Sequence, residues 1–307
     1  MRFGINLLNR GPLARPDLMV RYAQRAEALG FETLTISDHI VVPKTMPSNY
    51  PYHPEGKFSW QAARDYYEPL TSMAFLAGKT NRIRLGTSVL ILPYRNPIQT
   101  AKDLATLDAW SEGRIFVGIG TGWWEDEFKA LGIGSHFAER GARTDEYVRI
   151  FKTLWTQENP AFQGQFYQFS DLEFSPKPHQ KRGLPIWVGG HTGRALRRVV
   201  ELGDVWHPIG LRPPSGLDPR ELGTKRRELH ALAEKAGRDP ATIAIHFRCP
   251  LAFSATQRAP MQGSATQLLD DINAYQAQGV SHMTFDLARE TFTECLEVLE
   301  QVAEHFV

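Results

Sequence analysis

Cysteine is nearly absent from this chain of 307 residues: Cys249 and Cys295 stand alone, without the spacing of a zinc or cluster site. Two isolated thiols read as structural residues of a reducing compartment. An excess of one charge is lacking too. Lysine plus arginine number 35 against 34 aspartate plus glutamate, so nothing in the balance points to nucleic acid or a membrane surface as partner. No apolar run is long enough for a membrane span. The opening Met-Arg-Phe-Gly-Ile-Asn runs into a strand pattern with no secretory leader, and a cytoplasmic location is expected.

What is present is concentrated between Arg114 and Phe128. Apolar residues there lead into glycines at 118, 120 and 122, followed by Trp123 and Trp124. Glycines without side chains let a flat ligand or a phosphate lie against bare peptide. A dinucleotide fingerprint needs a helix opening at the glycines. Here two tryptophans intervene, and the next long helical pattern starts near Glu139.

Apolar period and turn signals give a strand followed by a helix eight times. The strands are read at 3–7, 33–37, 83–92, 115–119, 185–189, 204–207, 243–253 and 282–286. Their helices are read at 18–29, 70–77, from 97, 144–154, 194–202, 220–235, 267–277 and 292–306. This predicts an α/β chain of a single domain, residues 1–307, folded as a (β/α)8 TIM barrel. A doubly wound open sheet is the competing arrangement. Insertions are expected after strands 2 and 4: an aromatic, proline-rich stretch from His39 to Tyr67, read as a lid or as loop packing, and 159–183, with a hairpin turning at Gly164.

Barrel chemistry gathers where strands end. No predicted strand end offers a Schiff-base lysine, the first strand has no His-x-His pair, and no Gly-x-Ser-x-Gly elbow occurs. Histidines and carboxylates do not cluster as in a metal hydrolase. The ends instead supply Ser37-Asp38-His39, Thr87-Ser88-Val89, Gly120-Thr121-Gly122, Gly189-Gly190 and Trp206-His207. Small residues, backbone amides, histidines and tryptophans suit a planar cofactor bearing a phosphate.

With these pieces in order, the chain resembles the bacterial luciferase-like flavin family, in particular its coenzyme F420-dependent oxidoreductase branch. The resemblance is carried by Ser37-Asp38-His39, Leu85 to Leu90, Asn96-Pro97, Arg114 to Phe128, Glu139-Arg140-Gly141, Leu154-Trp155, Gln163-Gly164, Pro176-Lys177-Pro178 and Pro185 to Gly190. It implies that Asp38 and His39 stand beside the ring as cofactor contacts and proton carriers, a task suited to imidazole. It implies a non-prolyl cis peptide at Ser88–Val89 backing the central ring, with Gly86 leaving space. Thr121 and Gly122 would approach the ribityl chain or phosphate, and Gly189, Gly190, His191, Thr192 and Gly193 would hold the phosphate. That last run opens a helix, where exposed amides attract an anion, and Arg194 is an added charge or a solvated surface arginine. No metal is implied.

One departure stands out. In the F420-dependent sugar-phosphate dehydrogenase that the chain resembles, a glutamate follows Gly-Thr-Gly as catalytic acid; Trp123 occupies that place here. Glu125, Asp126 or Glu127 substitutes, or the three are dipole-complementing surface. The resemblance implies hydride transfer between F420 and a small organic substrate. The alternative is an FMN-dependent monooxygenase using O2 and reduced flavin from a separate reductase, since no NAD(P)H fingerprint is present. A non-catalytic flavin-binding protein and a metal-dependent hydrolase are the readings from other classes. A homodimer is expected, with Ile98, Leu104, Leu107 and Trp110 as apolar helix surface.

Overall fold

The computed structural model describes residues 1–43, 65–212 and 216–307. Eight parallel strands form its centre: β1 (Arg2–Asn6), β2 (Thr33–Ile36), β3 (Arg84–Thr87, resuming at Leu90–Ile91), β4 (Ile115–Gly120), β5 (Ile186–Gly189), β6 (Val205–His207), β7 (Ala244–Pro250) and β8 (Val280–Asp286). Each pairs with its successor, and β8 returns to β1 in the register Arg2↔His282 to Ile5↔Phe285. Closure excludes the open sheet.

Around the barrel lie α1 (Pro16–Ala28), α2 (Pro69–Ala77), α3 (Pro97–Trp110), α4 (Glu125–Ala130), α5 (His136–Thr156), α6 (Gly193–Leu202), α7 (Pro219–Lys235), α8 (Ala265–Ala277) and α9 (Phe292–Phe306). Their starts are written locally. Proline opens α1, α2, α3 and α7, where its missing N–H costs nothing. Asn96 caps α3 by accepting from Ile98 N and Gln99 N. Capping boxes at Asp218/Glu221, Ser264/Gln267 and Thr291/Glu294 start α7, α8 and α9, each worth about 1 kcal/mol. Buried faces such as Leu18, Met19, Tyr22 and Ala26 of α1 then seat the helices on the sheet.

Inside the barrel the filling is unusual. A TIM barrel interior is dominated by branched aliphatic side chains, whereas here Phe116 stacks on Trp187 at 3.8 Å and Trp187 meets His246 edge-on at 4.4 Å. His246 lies 4.8 Å from His282, whose Nε2 pairs with Thr33 Oγ1. Glycines make that room: a Cβ on Gly86 would stand 2.3 Å from the Phe116 ring, and one on Gly4 1.9 Å from Thr33 Oγ1. Gly86 therefore accommodates Phe116, not a cofactor ring.

Three details of the sequence reading change. A short helix, α4, begins at Glu125, and α5 starts at His136, ahead of the expected Thr144. The hairpin Phe162–Gln163 with Gln168–Phe169 does form, but it follows α5, not strand β4. It is therefore on the way back to the N-terminal ends of the strands, away from the mouth. Glu146 of α5 holds its turn by accepting from the N–H groups of Gln165, Phe166 and Tyr167. Most of the expected lid, 44–64, lies outside the described residues.

Candidate functional site

Where β2 ends, His39 is buried and its Nδ1 lies 2.6 Å from Glu127 Oε2. Glu127 is fully buried in α4. Its Oε2 also accepts from Tyr94 Oη at 2.9 Å, and its Oε1 from Ile40 N and Val41 N at 2.8 and 3.2 Å. A buried carboxylate with four donors is stable only because each is aimed at it. Its neighbourhood and burial push the Tyr94 phenol pKa upward, burial being the larger cause. Aromatic rings close around the imidazole: Tyr66 lies edge-on at 5.3 Å, Trp124 at 5.9 Å and Trp123 at 6.3 Å. The three acids after the tryptophans thus split. Glu125 pairs with Lys129 in the expected dipole-complementing way, while Glu127 turns inward, onto His39.

Asp38 points elsewhere. Arg95 grips it with Nη1 and Nη2 at 2.7 and 2.9 Å, and Ile91 N donates at 2.8 Å. Arg95 also reaches Glu68 at 3.0 Å. A carboxylate engaged in a two-pronged arginine pair is a clamp on the β2 end, so the expected proton-carrying role of Asp38 has no support in this geometry.

The Ser88–Val89 peptide, at the break in β3, is cis. Ser88 Oγ lies 2.8 Å from Nε2 of His207, whose Nδ1 lies 3.0 Å from the His246 carbonyl. A carbonyl only accepts, so Nδ1 carries the hydrogen and Nε2 accepts from the serine hydroxyl. Burial, with Arg248 adding to it, pushes the His207 pKa down to about 4. Arg248 of β7 donates to the Ser88 carbonyl and Oγ, and to Asp286 at 2.7 Å. Burial alone would raise the Asp286 pKa, but Arg248 and Arg212 outweigh it and leave it at about 2.

The glycines of the predicted site divide by what a side chain would meet. A Cβ on Gly118 would collide with the Thr87 carbonyl at 2.0 Å. On Gly120 and Gly189 it would strike the Val89 side chain at 2.4 and 2.9 Å. These glycines make room for the β3 break. Gly122, at φ +80°, packs on Ile91 and Phe128, and its carbonyl accepts from Arg140. Gly190 and Gly193 are different: their nearest neighbours would lie 3.3 and 3.7 Å from an added Cβ.

A Cβ on Gly193 would face Glu228 and Arg197, whereas Gly190 lines a cleft of about 300 Å³ between the ends of β4 and β5, α5 and α6, with Thr121, Thr192, Arg140, Arg194 and Arg198 among its other residues. Thr192 caps α6 by accepting from Ala195 N, and His191 is half-buried beside it, its pKa lowered by burial and then by Lys225. Arg198 is committed to Asp145 and the Gly141 carbonyl, Arg140 to two carbonyls, and Arg194 is exposed with no ion pair among the described residues. A larger cleft of about 540 Å³ lies between α2 and α3 on the outside of the barrel, so size does not locate the strand-end chemistry.

Sequence reading missed Tyr94, Arg95, Arg248 and Asp286. For the last two a signal existed: charged residues closing otherwise apolar strands, in Ile-His-Phe-Arg-Cys-Pro and His-Met-Thr-Phe-Asp, must be paired if the strand is buried.

A family model described as luciferase-like monooxygenase matches residues 1–292. An uncharacterized protein of Mycobacterium tuberculosis is 35% identical over 216 residues, 70% of this chain and 71% of its own length. The FMNH2-dependent dimethylsulfone monooxygenase of Pseudomonas putida is 35% identical over 146 residues, 47% of this chain and 40% of that protein. Among solved structures, monooxygenase RslO1 from Streptomyces bottropensis is similar at TM-score 0.81 and 22% identity, covering 100% of this chain and 98% of that one. An F420-dependent secondary alcohol dehydrogenase, in complex with an F420–acetone adduct, is similar at TM-score 0.77 and 17% identity, over 99% and 98%. Likeness at such identities is one of fold; the family match, running through all eight strands, carries more. This chain belongs to the luciferase-like monooxygenase family of oxidoreductases.

Proposed function

We propose that the protein is an F420-dependent oxidoreductase moving a hydride to or from a small organic substrate. The observation that carries the reading is the buried Glu127–His39 pair at the mouth. Oxidising an alcohol or reducing a carbonyl moves a proton at oxygen along with the hydride, and a fixed imidazole supplies that proton transfer. Glu127 takes up Nδ1 and so holds the orientation of the ring that would carry the proton. Tyr94 and the two backbone amides hold Glu127 in place.

The residues present fit a planar cofactor with a phosphate. The cleft bordered by Gly190 and Thr192 at the capped start of α6 has room for an anion, with the N-terminal amides and Arg194 attracting it. Ser88 and Val89 would back the ring, Thr121 would meet the chain between ring and phosphate, and Gly189, His191 and Thr192 would border the phosphate. When bound, F420 supplies a ring carbon that accepts or donates hydride. Asp38 is assigned to holding the β2 end through Arg95, not to moving a proton.

The second reading, an FMN-dependent monooxygenase fed with reduced flavin by a separate reductase, draws on the similarity to the dimethylsulfone monooxygenase. A non-catalytic flavin binder is disfavoured by the buried acid–imidazole pair. Titrating F420 and FMN separately and following fluorescence decides among these: tight binding of F420 with weak binding of FMN is expected, and the reverse order overturns the choice. We also propose a homodimer. Leu104 and Leu107 are consumed by the core, but Trp110 is 75% exposed on α3 and Phe75 43% exposed on α2. Light scattering at micromolar concentration should give twice the chain mass; a monomer there removes the proposal.

A further inference from the structure

Arg248 touches more of the mouth than any role so far assigned to it requires. Its guanidinium donates to the Ser88 carbonyl and to Ser88 Oγ at 3.0 Å, and to Ser37 Oγ at 3.3 Å from both terminal nitrogens. Its Nε and Nη2 meet Asp286 at 3.1 and 2.7 Å. Arg212 binds the other oxygen of Asp286 at 2.7 Å. A single buried side chain of β7 thus joins the β3 break, the residue just after β2, and the end of β8. Ser37 is two residues from His39, and Ser88 precedes Val89. Only a planar fork with five N–H groups makes these bonds together; an ammonium offers three from one point. His207 completes the arrangement by taking the Ser88 hydroxyl hydrogen, which leaves that oxygen's lone pairs to Arg248.

We propose that Arg248, anchored by Asp286, is a positioning residue that sets the spacing between the Val89 peptide and His39, and so aligns a planar cofactor with the proton-carrying imidazole. The part concerning a cofactor rests on the function proposed above; the part concerning the two strand ends does not. A side chain that merely fills the barrel would affect stability as a whole. A positioning residue affects residues 37–41 and 86–91 together, ahead of the rest.

The test is hydrogen exchange on the full-length protein as Arg248→Lys and, in case that variant does not fold, Asp286→Asn, which keeps the arginine and removes the charge and one acceptor oxygen of its anchor. In either folded variant, amides at 37–41 and 86–91 should exchange at least tenfold faster, with α9 unchanged. Titrations of the same proteins with F420 and with FMN should show at least tenfold weaker binding of whichever the wild type binds. Unchanged exchange at either segment overturns the proposal, as does faster exchange spread equally to α9. Loosened segments with unaltered cofactor affinity overturn it too. If the wild type binds neither cofactor, the cofactor reading falls, and the exchange result alone decides whether Arg248 positions the two strand ends.

Discussion

Two regions at the same end of the barrel use charge in opposite ways. At the mouth beside β2 and β3, the charged groups are buried and answered: Glu127 by four donors, Asp38 by Arg95 and Ile91 N, Asp286 by Arg248 and Arg212. In the cleft beside α6, Arg194 is exposed without an ion pair among the described residues. Satisfied buried networks hold geometry, because every departure leaves a polar group unpaired. An open, positively polarised helix start holds nothing by itself and awaits an anion. On the function proposed above, the first region orients and the second captures.

Substitutions should separate these two roles. The largest effect is expected at the mouth: His39→Ala should lower kcat by about 10²–10⁴-fold, the usual range for lost acid–base catalysis, while leaving cofactor affinity near the wild-type value. Steady-state turnover set beside cofactor titration checks this, and a loss confined to affinity would move His39 into the capturing region.

Next in size is the response to acid. His207 is buried with a pKa of about 4 against an ordinary 6.5, and burial pushes His246 and His282 down as well. The unfolded chain therefore binds more protons than the folded one between those values, so stability is fully present above about pH 6.5 and falls as the pH drops toward 4. For His207 alone the loss between pH 7 and 4.5 is roughly 2–3 kcal/mol. Urea unfolding at the two pH values reads it, and a midpoint that does not move would mean that the imidazoles are not held neutral. Cofactor capture beside α6 draws on no histidine buried to that degree.

The smallest effect belongs to the cleft. Gly193→Asp places a negative charge at the first turn of α6, where it suits the helix dipole, lies beside the Glu228 carboxylate and opposes a phosphate at the helix start. Cofactor affinity should fall at least tenfold, about 1.4 kcal/mol, with the protein still folded. Gly190→Asp is the poorer probe because Gly190 sits at φ +89°, which a side chain strains. Unchanged affinity in Gly193→Asp would place the phosphate elsewhere and dissolve the contrast between the regions.

Much of this was legible before any coordinates. Alternating and helical apolar periods located all eight strand–helix units, and His39, Ser88 and Val89 follow the ends of β2 and of the first part of β3, as the sequence reading had them. The glycines were legible as necessary but not for their reason. Only packing shows that Gly120 and Gly189 yield to Val89, and Gly86 to Phe116. Glu127 looked like one of three interchangeable acids, since a short helix start gives no local sign of which side chain turns inward. Arg248 and Asp286 are far apart in sequence, and their pairing depends on β7 and β8 being neighbours.

By itself the sequence determined the order of strands and helices, the helix caps and the family, because period, capping residues and contiguous motifs act within a few residues of one another. The tertiary structure alone decided that Glu127 holds His39, that Asp38 clamps the end of β2, and that Arg248 ties together two serines on neighbouring strands. Each of those contacts joins residues 50 or more positions apart. Their geometry is set by the closure and register of the barrel, which no local pattern encodes.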